Sequence, residues 1–324
     1  MKDKYNREIK YLRISLTELC NFRCRYCMPD EGICKKKHED MMTQEEIISA
    51  VRVATKLGVS KIRLTGGEPL VKKNVVDIVS KIREIDGVEE ICLTTNAALL
   101  PRYAKDLKSA GLDRVNISLD TLDKEKFKYI TRIGELDDTL KGIDVALETG
   151  FKKVKINTVV IGGFNDDEIV DIANITLEKP LDVRFIELMP MYDSGDFGKD
   201  AFISYEEVLE IIKKSLNGKS FLDVSDDENS VARLYKIEGA KGCIGVISPV
   251  NNHFCDRCNR LRLTADGKIK PCLHSNQEIS IKGLSEKEME EKFIEAIMSK
   301  PEKHSLLSYE SRSRADRNMN EIGG

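Results

Sequence analysis

Six of the nine cysteines fall into two tight groups. Near the start, Cys20, Cys24 and Cys27 sit in CNFRCRYC, a C-x3-C-x2-C spacing. Near the end, Cys255, Cys258 and Cys272 sit in CDRCNRLRLTADGKIKPC, a C-x2-C-x13-C spacing. Soft thiolates gathered at short separation read as metal ligands. Three of them hold three irons of a [4Fe–4S] cube that ordinarily takes four ligands, which leaves one iron open to a small molecule, much as a catalytic metal keeps one free position. The alternatives are zinc, with His38 completing the first group and His253 or His274 the second, or, for the first group, a structural cluster with a distant fourth cysteine. The opening MKDKYNREIKYLRISL is too polar for a secretory signal. It predicts a cytoplasmic protein whose thiols stay reduced rather than forming disulfides. Cys34, Cys92 and Cys243 stand apart from both groups and are expected not to be ligands.

Positive charge carries a second chemistry. Arg13, Arg63, Lys155 and Arg184 interrupt β-branched runs, where a cation facing the interior needs a partner. Acids such as Glu187 or Asp120 would be the bland partners. Interruptions in four separate runs favour a cavity built for a polyanion, with Arg giving bidentate phosphate contacts and Lys a point charge.

The elements that must position these residues show in the periodicity. From Tyr11 to about Leu188, short β-branched runs alternate with amphipathic helical stretches. The strands read YLRISL (11–16), KIRLT (61–65), EICLTT (90–95), DRVNISL (113–119), KVKINTVV (153–160) and DVRFIEL (182–188). Thr43 and Glu46 have capping-box spacing, and Gly58, Gly111 and Gly150 end helices. Steady alternation means βαβ units on a parallel sheet. Six units without continuation predict an α/β fold, an incomplete (βα)6 TIM-like barrel over residues 1–200. Residues 201–324 are expected to form a carboxy-terminal extension that carries the second cysteine group and closes the barrel. Within it, a helix is read in ISYEEVLEIIKKSL, short strands near 231–237 and 243–248, and a polar tail running over the surface from about Pro301. Active sites of such folds lie at the carboxyl ends of the strands. The Cys20 group, TGGEP, TTN and SLD follow the first four strands in turn. A net charge of −3 argues against a nucleic-acid binder built on bulk charge. No apolar run approaches the roughly 20 residues that cross a membrane.

CNFRCRYC, followed after the next strand by TGGEP, resembles the signature of the radical S-adenosylmethionine superfamily. By that resemblance, the open iron of the first cluster chelates S-adenosylmethionine, and one electron releases methionine and a 5′-deoxyadenosyl radical. The protein orients the cofactor and excludes water. Tyr26, Gly66, Gly67, Glu68, Asn96, Ser118 and Met189 would hold the cofactor, the glycines because a backbone without Cβ admits close approach.

SPV at 248–250, FCDRCNRLRLTADGKIKPCL and the terminal RNMNEIGG are similar to the GTP 3′,8-cyclase family. With KIRLTGGEPL, NISLDTL and RFIELMP the likeness covers nearly the whole chain; Ala97 departs, standing where glycine is common. The resemblance implies a second [4Fe–4S] cluster on Cys255, Cys258 and Cys272, whose open iron takes the purine of GTP. It implies GTP contacts from Arg13, Arg63, Thr94, Lys155, Arg260, Leu261 and Arg262, to which the strand pattern adds Arg184. Arg260 and Arg262 are expected as catalytic residues that orient the radical or supply the final proton. In the implied reaction the adenosyl radical takes the ribose 3′ hydrogen and C3′ adds to C8 of guanine. Electron and proton transfer then give (8S)-3′,8-cyclo-7,8-dihydroguanosine 5′-triphosphate, the first step of molybdopterin biosynthesis. A flavodoxin or ferredoxin is implied as reductant, and cyclic pyranopterin monophosphate synthase as the next enzyme. Monomer and homodimer both stay open.

Overall fold

The computed structural model describes residues 1–33, 36–189, 197, 199–225, 232–249, 254–304 and 316–323. Cys34, His253 and Gly324 lie outside the described residues, as does the side chain of His38. Parallel strands β1 (Tyr11–Ser15), β2 (Lys61–Thr65), β3 (Glu90–Thr95), β4 (Arg114–Ser118), β5 (Lys153–Val160) and β6 (Asp182–Glu187) pair in chain order. Each falls within one residue of the run read from the sequence. Between them run α1 (Gln44–Lys56), α2 (Val75–Arg83), α3 (Leu100–Ser109), α4 (Lys124–Thr131), α5 (Leu136–Thr149) and α6 (Ile169–Glu178). Helix α1 starts where the sequence says it should. Thr43 and Glu46 exchange side-chain to backbone bonds in a capping box, which contributes about 1 kcal/mol. One face of α1, with Ile47, Ile48, Val51 and Val53, is buried; each such side chain adds roughly 1.5–3 kcal/mol.

The carboxy-terminal segment joins the same sheet at both edges. Beyond α7 (Tyr205–Ser215), strands β7 (Phe221–Asp223), β8 (Arg233–Ile237) and β9 (Ile244–Ile247) extend the β6 edge, with β9 parallel to β6. Strand β10 (Arg260–Leu263) lies parallel to β1, and β11 (Lys268–Lys270) and β12 (Ile279–Ser280) follow antiparallel. The order is β12-β11-β10-β1-β2-β3-β4-β5-β6-β9-β8-β7, an open sheet. Helix α8 (Glu286–Met298) packs on α1. No helix among the described residues is long and apolar enough to cross a membrane.

The tail corrects the expectation of a surface path. Asn318 caps the short helix α9 (Met319–Ile322), whose Asn320 and Ile322 are buried. Arg262 Nη1 donates to the Gly323 carbonyl at 2.7 Å, and Asn320 Nδ2 to Glu18 O at 3.3 Å. A single turn carries no period to read. Its anchor is tertiary, Ile322 packing with Met189 and Leu273 as well as Met319.

Candidate active site

Both cysteine groups open onto one cavity of about 810 Å³ inside the partial barrel. The first group occupies the loop after β1. Arg23 N and Arg25 N bond to Thr131 O and Ile130 O at 3.0 and 2.9 Å, pinning the loop to the end of α4. The TGGEP turn packs against the approach to Cys20, with Gly67 N to Thr17 O at 2.7 Å and Glu68 N to Leu19 O at 2.8 Å. A Cβ on Gly67 would lie 2.4 Å from Leu19 O, and one on Gly66 would lie 2.6 Å from Thr17 O. The glycines therefore admit the chain's own backbone, a closer reason than ligand approach. Ala97 tolerates its left-handed φ of 63° in the neighbouring TTNA turn.

Burial pushes the Cys20 thiol up to about 11 and Cys27 up to about 12, and lifts Cys24 well above its ordinary value with help from Cys27 and Cys20. Such thiols ionise together only when a metal supplies positive charge. Three soft donors in one loop suit the open-iron cube proposed for them. Around them, Tyr26 Oη donates to Asp120 Oδ2 at 2.6 Å. Glu68 accepts from Leu70 N at 3.0 Å, Thr95 Oγ1 at 2.7 Å and Asn96 N at 2.7 Å, and burial raises it to about 7. Asn96 Nδ2 donates to Asn21 Oδ1 at 2.8 Å. Glu68 and Asn96 thus brace the cysteine loop from the cavity wall, which Ser118 and Met189 also line.

The basic residues form a wall. Arg13 is the register partner of Arg262 on one side and of Arg63 on the other, so three arginines stand side by side on adjacent strands. Like charges set directly opposite are unfavourable. Burial, then Arg262, depresses Arg13, and burial, then Arg63, lowers Arg184 to about 10. Lys155 falls to about 6 through burial and the charges of Arg184 and Arg114. The bland partners are engaged elsewhere. Asp120 holds Tyr26 and Val159 N, and Glu187 accepts from Tyr205 N at 3.2 Å; the nearest acid to Lys155 is Asp182, a long ion pair at 4.0 Å shared with Lys153 at 2.9 Å. Arg63 Nε, Arg184 Nε, Arg260 Nη2, Thr94 Oγ1 and Asn116 Oδ1 are buried without hydrogen-bond partners, and all belong to residues lining the cavity. Unsatisfied buried polar atoms are costly unless a ligand meets them.

Leu261 is the exception among the expected contacts. It is fully buried in the hydrophobic core and does not line the cavity, because strand alternation sends it to the face opposite Arg260 and Arg262. Sequence reading passed over Lys61, Arg114, Asn116 and Asn157, which do line it. Counting back in twos from Ser118 reaches Asn116 and Arg114.

The second group is assembled by a hairpin. Cys255 and Cys258 precede β10, and β11 brings Cys272 back beside them. Burial resists ionisation of Cys258, but Lys300 and Arg260 outweigh it and hold this thiol near 6. That preference for thiolate suits metal ligation. His274 faces the cavity with its ring 4.9 Å from that of His304; burial, then His304, pushes it down to about 3.

A family model described as Radical SAM superfamily matches residues 14–175, and one described as Molybdenum Cofactor Synthesis C matches residues 181–306. The chain is 50% identical to the GTP 3′,8-cyclase of Alkaliphilus oremlandii and 48% identical to that of Moorella thermoacetica, covering all of both chains in each case. Among solved structures, Streptococcus suis SuiB bound to precursor peptide SuiA superposes with a TM-score of 0.66 at 16% identity, over 92% of this chain and 67% of that one. Coproporphyrinogen III oxidase (HemN) from Escherichia coli gives 0.51 at 15% identity, over 75% and 63%. These two likenesses show the fold. The chain belongs to the radical SAM superfamily and, within it, to the family of the proteins named GTP 3′,8-cyclase.

Proposed function

We propose that this chain is a GTP 3′,8-cyclase, converting GTP to (8S)-3′,8-cyclo-7,8-dihydroguanosine 5′-triphosphate in the first step of molybdopterin biosynthesis. The observation that carries it is the row Arg262, Arg13, Arg63 in register along a cavity that also takes in both thiol groups. Cys20, Cys24 and Cys27 would hold one [4Fe–4S] cluster, and Cys255, Cys258 and Cys272 a second. The first, with S-adenosylmethionine bound, supplies a 5′-deoxyadenosyl radical.

The chain's own residues do the positioning. Tyr26, the TGGEP turn, Ser118 and Met189 shape the wall beside the first group, where the cofactor would sit. Arg13, Arg63, Lys155 and Arg184 hold the triphosphate, and Thr94 and Arg260 offer unmet polar atoms to the rest of GTP. Arg262, tied to Gly323 O, keeps the tail against the cavity and excludes water there. Reductant, product acceptor and location follow the same reading: a flavodoxin or ferredoxin, cyclic pyranopterin monophosphate synthase, and the cytoplasm.

Anaerobic incubation of the reconstituted chain with GTP, S-adenosylmethionine and dithionite tests the activity. GTP-dependent 5′-deoxyadenosine is the expected product. Its absence from protein carrying about eight irons per chain would overturn the assignment.

A further inference from the structure

Lys300 follows α8 and is 2% exposed. Among the described residues no carboxylate lies within ion-pair distance of it. Its Nζ donates instead to Arg260 O at 2.8 Å and Pro271 O at 2.7 Å, and its charge favours the thiolate of Cys258. Arg260 lies two residues beyond Cys258, and Pro271 immediately precedes Cys272. One ammonium therefore joins the two chain segments that bring Cys258 and Cys272 together.

A buried ammonium without a counter-charge costs several kcal/mol. Two carbonyl dipoles recover part of that; the missing unit of negative charge must come from something else in contact. We propose that Lys300 is the counter-cation of the carboxy-terminal thiolate group and, by its charge, sets the reduction potential of the cluster held there. The proposal rests on the reading that Cys255, Cys258 and Cys272 hold a cluster. Three thiolates around a cube leave net negative charge, and a further electron adds to it. A fixed cation at the sulfur favours the reduced form, and hydrogen bonds to cluster sulfurs are a recognised lever on potential. Lysine suits the place because a compact ammonium carries three donors, two of them met here by carbonyls. Lys300 is a positioning residue, acting through Cys258 and not on substrate.

The test uses the full chain with Cys20, Cys24 and Cys27 all replaced by Ala, so that only the carboxy-terminal cluster is present. Lys300→Gln keeps hydrogen-bonding capacity without charge, and Lys300→Arg keeps the charge. After anaerobic reconstitution, iron content and the midpoint potential are measured for all three proteins. The expected result is a lower potential in Lys300→Gln and a potential near the parent's in Lys300→Arg. Loss of iron from Lys300→Gln alone supports the same role. Equal potentials in Lys300→Gln and the parent, or equal loss of iron from both variants, overturn it. A parent that binds no iron removes the cluster reading itself, a separate failure.

Discussion

The Tyr26 hydroxyl donates a 2.6 Å hydrogen bond to Asp120, tying the first cysteine loop to the end of β4. The other carboxylate oxygen of Asp120 accepts from Val159 N at 2.9 Å. This carboxylate is committed to scaffolding, which leaves the basic wall without it as a counter-ion.

The commitment has a pH signature. Burial holds Asp120 up at about 6, against about 3.9 for a free aspartate. The native state therefore binds the proton more tightly than the unfolded chain, and stability falls as pH rises from about 4 to 6. The whole loss is on the order of 3 kcal/mol. Asp120→Asn retains an acceptor for Tyr26 and should flatten that decline in urea midpoints of the cluster-free chain. An equally steep decline in the variant would refute the assignment.

Lys155 predicts a proton uptake on binding. Burial, with Arg184 and Arg114, holds it at about 6, so it is largely neutral above pH 7 in the empty cavity. A triphosphate restores its charge, and binding takes up a proton. GTP affinity should fall with rising pH between about 7.5 and 8.5, by up to about tenfold. Calorimetry in two buffers of different ionisation heat reads the proton directly, and Lys155→Met should abolish the uptake. Buffer-independent heats in the parent would count against it.

Much of this was legible in the residues because the signals were periodic or local. The six barrel strands announced themselves by β-branched runs, and the cations within them by being out of place. Arg114 and Asn116 lie outside the SLD motif that marks β4, and only the two-residue period of the strand places them on the same face as Ser118. Leu261 was carried along with its neighbours, though alternation puts it on the other face. Strands β10 to β12 are two to four residues long, too short to show a period. The buried tail hides its anchor in two apolar side chains, Met319 and Ile322, within a polar stretch.

Arg184 separates stability from function. It forms no ion pair among the described residues, its Nε is buried without a hydrogen bond, and it sits among like charges. Arg184→Leu should raise the thermal midpoint of the cluster-free chain by relieving desolvation and repulsion. The same change should weaken GTP binding by about 1.5–3 kcal/mol, roughly 10- to 150-fold. A variant both less stable and unimpaired in GTP binding would contradict the polyanion reading.

Gly67→Ala tests why the glycine turn exists. Its Cβ would meet Leu19 O at 2.4 Å and Glu18 O at 2.6 Å, both backbone atoms that no rotamer change can clear. The approach to Cys20 must shift, and three ligands on one short loop lose their common geometry. Iron should drop from about eight to about four per chain, with the carboxy-terminal cluster retained. Gly150→Ala is the control, since nothing lies within 4 Å of its Cβ and only its left-handed φ of 71° is strained. That variant should lose about 1 kcal/mol of stability and keep its iron. Full iron loading in Gly67→Ala would mean that the loop yields to the clash, and that ligand approach is after all the tighter constraint on the turn.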